Sequence, residues 1–142
     1  GEDHSPETHL LPLCIMAALG RRAALDIFGH DYPTDDGTAV RDYVHVSDIA
    51  EAFLLAATYV KNGGTAAEFN LGSGVPTSVR QLLGAFERHT GKKIPAREKP
   101  RRQGDAPWLV ADNGLLRETL GWQPKHSSLD SIVETALRWH RK

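Results

Sequence analysis

Ten residues near the start of the chain, Leu10 to Leu19, constrain it most, because they are apolar at nearly every position and interrupted only by Pro12. A membrane span needs roughly 20 such residues. The run is therefore a buried helix or strand and not an anchor. With Gly20-Arg21-Arg22 supplying a stop and C-terminal cations, the pattern predicts a helix that starts near Glu7 or Thr8 and runs to Gly20. A helix apolar nearly all round must be covered on more than one side. Other elements have to pack about it, and 142 residues are enough to form one domain with a real core. Residues 1–8 read as loop.

Composition narrows the function classes. A formal net charge of -1 lacks the basic excess of a nucleic-acid binder. The single cysteine, Cys14, has no internal disulfide partner and lies in the apolar run. That favours a reducing, cytoplasmic compartment. The chain opens on polar residues, Gly1-Glu2-Asp3-His4, and not on Met, which hints at a piece of something longer.

After the first helix come two extended runs. The first is apolar at Leu25, Ile27 and Phe28; the second alternates Val40, Asp42, Val44 and Val46 around Arg41, Tyr43 and His45, a period of two that predicts strand. The loop between them is rich in Pro, Gly, Asp and Thr, the turn formers. Ser47 is placed to cap a helix that carries Asp48 and Glu51 in its first turn and ends at Asn62-Gly63-Gly64; Ile49, Phe53, Ala56, Ala57 and Val60 recur on it at helical spacing. Glu68 to Leu71 reads as a short strand entering a glycine turn. Ser78 and Gln81 have capping-box spacing for a helix that buries Val79, Leu82, Leu83 and Phe86 and stops at Gly91. A strand-like piece spans Ile94 to Glu98, Lys99 to Pro107 is loop, and two helices close the chain, Asp112 to Leu120 and Ser128 to His140. Strands alternating with helices predict an α/β or α+β fold.

Several stretches are candidate sites. Asn70-Leu71-Gly72-Ser73-Gly74 sets a glycine loop before a helix N-terminus, where backbone amides can hold phosphate. The third glycine of a dinucleotide fingerprint is missing, however, and Pro76 removes a donor, so a tight structural turn is the favoured reading. Arg101 and Arg102, with Gly104 and Asp105, put guanidinium forks on a flexible loop suited to an anion, although such loops are commonly just solvated. Arg41 sits inside an alternating strand, where a charge calls for an anionic partner. The seven histidines show no metal spacing, and His45 reads as a hydrogen-bonded core residue. Trp108, Trp122 and Trp139 read as packing.

Taken in order, Ile27-Phe28-Gly29, Asp31-Tyr32-Pro33-Thr34, Asp36-Gly37-Thr38, Val40-Arg41-Asp42-Tyr43-Val44-His45-Val46, Asn70-Leu71-Gly72-x-Gly74, Arg101-Arg102-x-Gly104-Asp105 and Leu120-Gly121-Trp122-x-Pro124 resemble the C-terminal part of UDP-glucose 4-epimerases. These enzymes are extended short-chain dehydrogenases/reductases. The resemblance covers essentially the whole chain, and the loop from Asp31 to Thr38 favours the epimerases over other nucleotide-sugar enzymes of that superfamily.

The resemblance implies an α/β fragment: a C-terminal substrate domain plus a helix (Ser47 to Val60) and a strand (Glu68 to Leu71) that would complete a Rossmann domain lying outside this chain. That outside portion would carry NAD and the catalytic residues, so residues 1–142 would form the UDP-sugar-binding part and be inactive alone. It implies that Arg41 and Arg102 hold the diphosphate and that Asp105 takes the ribose hydroxyls. Phe28 would lie beside the uracil, with the Asp26 to Phe28 backbone reading the base edge. Tyr43, Val79 and Leu10 match further pocket positions, His9 stands where the pattern has Asn, and Leu109 bounds the sugar pocket. Family members oxidise the sugar at C4, let the 4-ketose turn over and reduce its other face. The implied partners are a UDP-sugar, the missing half or a second copy, and a homodimer for the full enzyme, with no nucleic acid or membrane. A non-catalytic UDP-binding module, or a dehydratase, decarboxylase or reductase of the same superfamily, are the alternatives.

Overall fold

The computed structural model describes residues 5–141; the part of the expected N-terminal loop formed by residues 1–4 lies outside them. Helix α1 (Leu10–Ala18) is the apolar run, begun later than the sequence predicts because His9 is still extended. Strand β1 (Leu25–Phe28) follows. It pairs in parallel with β4 (Ala96–Lys99), Leu25 opposite Ala96 and Phe28 opposite Lys99. Between them in sequence lie β2 (Val40–Arg41), α2 (Val46–Lys61), β3 (Thr77–Ser78) and α3 (Val79–Thr90). The chain ends with β5 (Trp108–Leu109), α4 (Gly114–Leu120) and α5 (Leu129–His140). A second small sheet has the order β3-β2-β5, with β2 antiparallel to β3 and parallel to β5.

Two clusters form the interior. The larger packs α1, β1, α3 and α5 around Cys14, Ile15, Leu25, Leu82, Phe86 and Val133, all nearly inaccessible. The apolar helix α1 is thus covered from several directions. The smaller sets Ala52 of α2 against Leu116 and Trp122, with Phe69 and Leu71 at its margin. Local signals placed α3 and α5 well. Ser78 and Gln81 make the reciprocal capping box, Gly91 closes α3 in the left-handed conformation, and the Ser128 side chain accepts from Ser131 N at 3.2 Å.

Three expectations are corrected and a fourth element is incomplete within this chain. The second extended run keeps strand geometry only at Val40 and Arg41; the chain then turns so that the Asp42 carboxylate meets other amides, and α2 begins at Val46. His45, not Ser47, is the cap: its Nδ1 accepts from Ser47 N at 3.1 Å. Glu68 to Leu71 forms no ladder among the described residues, the sheet that the resemblance assigns it being outside this chain, and Phe69 and Leu71 lie at the margin of the Trp122 cluster. Of the tryptophans only Trp122 is core; Trp108 and Trp139 are half exposed, as are larger fractions of Phe53 and Val60 on α2.

The junction of α2 with the segment before α5 depends on Asp48, which is fully buried. Its carboxylate accepts from Lys125 N (3.1 Å), His126 N (2.9 Å) and Ser127 Oγ (2.5 Å), while its carbonyl accepts from Trp122 Nε1 at 2.9 Å. Burial opposes ionisation, but the Ser127 hydroxyl and the two amides outweigh it and hold the carboxyl below the usual carboxylate range. A lowered folded pKa means that the contribution is complete above the unfolded value, about 3.9, and is lost as pH falls through the folded one. Asp48→Ala is expected to lower stability by about 2 to 4 kcal/mol through the orphaned donors. Asp48→Asn is expected to flatten the fall in stability below about pH 4. Urea titrations at a series of pH values check both.

Candidate functional site

A cleft of about 480 Å³ opens between the N-terminus of α1, β1, β2 and the loop after β4. Leu10, Leu25, Phe28, Tyr43 and Val79 give it apolar walls, and Arg22, Asp26, Arg41, Arg102 and Asp105 give it charge. Each element delivers its residue for a local reason. In β1 the buried residues are Leu25 and Ile27, so alternation turns Asp26 and Phe28 to the other face. In β2 the same alternation buries Val40 and presents Arg41.

The charges of the cleft are matched internally. Arg41 Nη2 lies 3.3 Å from Asp105 Oδ1, and its Nη1 donates to Val40 O at 2.7 Å. The Arg102 guanidinium lies 3.8 Å over the Phe28 ring, a cation–π contact. Arg22 and Asp26 form a pair at 3.6 Å. At the α1 end, Glu7 accepts from the Thr8 and His9 amides, and its Oε1 is 2.9 Å from His9 Nδ1. The His9 amide holds the Glu7 carboxyl below the usual range. Burial, reinforced by Cys14, outweighs Arg41 and pushes the Tyr43 phenol up to about 12, so it stays a neutral hydrogen-bond donor at neutral pH. Burial also pushes the Cys14 thiol up to about 12, which leaves it unreactive.

Of the residues singled out in sequence, His9, Leu10, Asp26, Phe28, Arg41, Tyr43, Val79, Arg102 and Asp105 line this one cleft. Leu109 does not line it. It is opposite Arg41 in the β2–β5 pairing and is more than half exposed. Glu7, Thr8 and Arg22 also line the cleft and had not been singled out. Arg22 read as a helix-stop cation, and its spacing of four from Asp26 was the available signal.

The glycine loop is structural. Asp42 Oδ2 accepts from Gly74 N (3.3 Å) and Ala111 N (3.2 Å), and Asn113 Nδ2 donates to Gly72 O at 2.7 Å. A Cβ on Gly72 would stand 2.0 Å from that same Asp42 oxygen, so glycine is what admits the carboxylate. His45 is structural too, with Nε2 3.0 Å from Thr135 Oγ1 and its amide donating to Ser127 Oγ. Among the described residues no group of three His, Cys, Asp or Glu side chains could hold a metal ion, and no helix is long and apolar enough to cross a membrane.

The loop between β1 and β2 is folded on itself. Tyr32 N donates to Gly37 O at 2.9 Å, Thr34 Oγ1 to Thr38 O at 2.7 Å, and Thr38 N and Oγ1 to Asp36 Oδ1 at 2.9 and 2.6 Å. Ser78 Oγ donates to the other Asp36 oxygen. Burial opposes the Asp36 charge, yet Ser78 and Thr38 prevail and lower its pKa. The loop is therefore fastened to the N-terminus of α3. Its Tyr32 ring is buried against Gly29, whose φ is +83°.

Residues 1–72 match the NAD dependent epimerase/dehydratase family. A UDP-glucose 4-epimerase of Lacticaseibacillus casei is 48% identical over 140 residues, 99% of this chain and 42% of that protein. The crystal structure of UDP-glucose 4-epimerase from Brucella ovis in complex with NAD superposes with a TM-score of 0.92 at 45% identity, over 98% of this chain and 43% of that one. The enzyme from Bifidobacterium longum, solved in complex with NAD+ and UDP, gives 0.89 at 33% identity, over 99% of this chain and 42% of that one. An α/β fold of the short-chain dehydrogenase/reductase type, a charged cleft of about 480 Å³ and this sequence identity define one class. The chain belongs to the NAD dependent epimerase/dehydratase family, and it spans about two-fifths of the length of these UDP-glucose 4-epimerase relatives.

NAD, which the family implies, does not fit the glycine loop of the described residues. The Gly74 amide that a phosphate cradle there would use already donates to the Asp42 side chain. Gly29→Ala is expected to destabilise the chain by about 1 to 3 kcal/mol, the cost of a strained conformation, because the new Cβ would meet Tyr32 Cε2 at 2.2 Å as well as a positive φ. Chemical denaturation of the variant beside the parent checks it.

Proposed function

We propose that this chain is the UDP-sugar-binding, C-terminal part of an NAD-dependent UDP-glucose/UDP-galactose 4-epimerase, with residues 1–142 as that portion. The observation that carries the reading is the convergence of Arg41 and Arg102, 61 positions apart in sequence, with Phe28, Tyr43 and Asp105 on one cleft. Two guanidinium forks beside an aromatic ring and a carboxylate are what a nucleoside diphosphate requires: charge-assisted bonds for the phosphates, a flat apolar face for the base, acceptors for the ribose hydroxyls.

Binding is then an exchange of partners. Arg41 gives up part of its pairing with Asp105 in favour of phosphate oxygens, and the released carboxylate accepts from the ribose. Arg102 leaves or slides along the Phe28 ring to share the diphosphate, so that the ring can face the uracil. The neutral Tyr43 phenol donates to an anionic oxygen. His9 and Leu10 border the same space, and Leu109 belongs to the region of the hexose. Firm capture of the nucleotide with little hold on the sugar suits an epimerase, since the hexose has to present both faces in turn.

NAD and the redox step belong, on this reading, to a Rossmann portion outside the chain. The α2 surface supports this, as Val46, Phe53, Leu54 and Val60 are each at least 65% exposed. Such a stripe marks a covered interface, and the nucleotide-binding half is its proposed cover, in an enzyme that acts as a homodimer. In isolation the chain would self-associate through it.

Arg41→Ala and Arg102→Ala are each expected to weaken UDP binding by the full-length protein by about 1.5 to 3 kcal/mol, the worth of a charge-assisted contact. Unchanged affinity in both, measured by calorimetry, removes the diphosphate assignment. Purified 142-residue chain is expected to show no interconversion of UDP-glucose and UDP-galactose, and turnover by it would overturn the division of labour drawn here.

A further inference from the structure

Arg101, the neighbour of Arg102, is absorbed by nothing above, although its side chain is more firmly engaged than that of Arg102. Its Nε donates to Asp31 Oδ1 at 2.8 Å, its Nη2 donates to the Asp31 carbonyl, and its guanidinium stacks 4.4 Å from the centre of the Tyr32 ring. One fork thus meets a side-chain acceptor, a backbone acceptor and an aromatic face at once, a combination that lysine cannot reproduce. The receiving surface is itself fixed. Tyr32 is 5% exposed, Gly29 lacks the Cβ that would collide with its ring, and the Tyr32 to Thr38 loop is closed by its own hydrogen bonds and tied to Ser78 through Asp36.

The two arginines share a stretch without regular structure, yet they contact different rings. Arg101 lies on Tyr32 and Arg102 on Phe28, the rings that flank Gly29. Beyond Arg102 the chain turns back, with Asp105 N donating to Arg102 O at 3.2 Å across Gly104, whose φ is +84°. Asp105 then reaches Arg41. On its other side the loop is held where Gly29 N donates to Lys99 O at 2.9 Å. Among the described residues, Arg101 is the side chain between these two points that hydrogen-bonds back to the β1–β2 loop, beside the ring contact of Arg102 on Phe28. A loop left to move there would lose the placement of both Arg102 and Asp105, and small misplacements of a binding group cost disproportionately.

We propose that Arg101, clamped by Asp31 and Tyr32, is a positioning residue: it does not touch the ligand but holds the Arg102–Asp105 turn over the cleft in the geometry that captures a diphosphate. This rests on the nucleotide reading of the cleft and extends it by giving the β1–β2 loop a role, as the platform for that clamp. Asp31 and Arg101 are both largely exposed, so the pair matters here for direction more than for stability.

Calorimetry with UDP on the full-length protein tests this through five variants, read beside Arg41→Ala. Arg101→Ala and Asp31→Ala are each expected to weaken UDP binding about tenfold, the loss of a preorganised contact. Arg101→Lys is expected to stay close to Arg101→Ala, since it keeps the charge without the fork. The sign of the Asp31→Ala effect is decisive, because deleting a negative charge near an anion site would by charge alone strengthen binding. In an Arg102→Ala background Arg101→Ala is expected to cost clearly less than it does alone, since part of its effect runs through Arg102. Wild-type affinity in Arg101→Ala, tighter binding in Asp31→Ala, wild-type affinity in Arg101→Lys, or a full additive loss in the double variant would each overturn the proposal. If Arg41→Ala and Arg102→Ala both leave UDP binding unchanged, the nucleotide reading fails instead, so the two failures are distinguishable.

Discussion

The ladder at Val40 and Arg41 is the contact on which the rest is arranged. Two residues are bonded on both edges, to Thr77 and Ser78 on one side and to Trp108 and Leu109 on the other, with Val40 N also donating to Pro107 O at 2.8 Å. So short a strand has little stability by itself. It nevertheless fixes the N-terminus of α3, the entry to α4 and the direction of Arg41. What makes it persist lies on either side of it.

Three aspartates at intervals of six, Asp36, Asp42 and Asp48, each fasten a different distant segment to this length of chain. Asp36 takes the Ser78 hydroxyl, Asp42 the amides of Gly74 and Ala111, and Asp48 those of Lys125 and His126 with the Ser127 hydroxyl. A carboxylate has several acceptor positions and can satisfy donors from segments that have no ladder of their own. The irregular stretches 64–76 and 121–128 are held this way, by carboxyl oxygens standing in for a β-strand. Burial should push such groups toward neutrality, and for Asp36 and Asp48 it is outweighed by the donors gathered round them.

Local rules recovered the elements that carry their own signals. The apolar run of α1, the capping box of α3, the left-handed closures at Gly91 and Gly121 and the Ser128 cap depend on residues within a few positions of one another. The failures share a cause of the opposite kind. Alternation from Val40 to Val46 looks like seven residues of strand, but the strand ends where the Asp42 carboxylate turns to amides 32 and 69 positions away. Asp48 read as a dipole-favouring first-turn residue and is a buried hub. Strand β5 lies among Pro and Gly signals and exists because β2 offers it an edge. The cleft was legible as separate anion-seeking arginines, and its gathering of Arg41, Arg102 and Asp105 came only from the family resemblance, because no spacing in the chain encodes a contact between residues 41 and 105.

The matched charges of the cleft bear on what it can select. With Arg41 on Asp105, Arg102 on Phe28 and Arg22 on Asp26, the arginines already have partners, so a neutral sugar offers nothing that would displace them. A ligand has to repay each broken contact with something stronger. On the proposed reading a nucleoside diphosphate does so for the arginines, and its ribose re-engages the carboxylate that Arg41 leaves, so one molecule would satisfy both halves of the pair. An inorganic anion would meet the arginines and strand Asp105 beside it. On the proposed reading, Asp105, one of three carboxylates on the cleft beside Glu7 and Asp26 and the one paired with Arg41, favours a nucleoside diphosphate over phosphate alone.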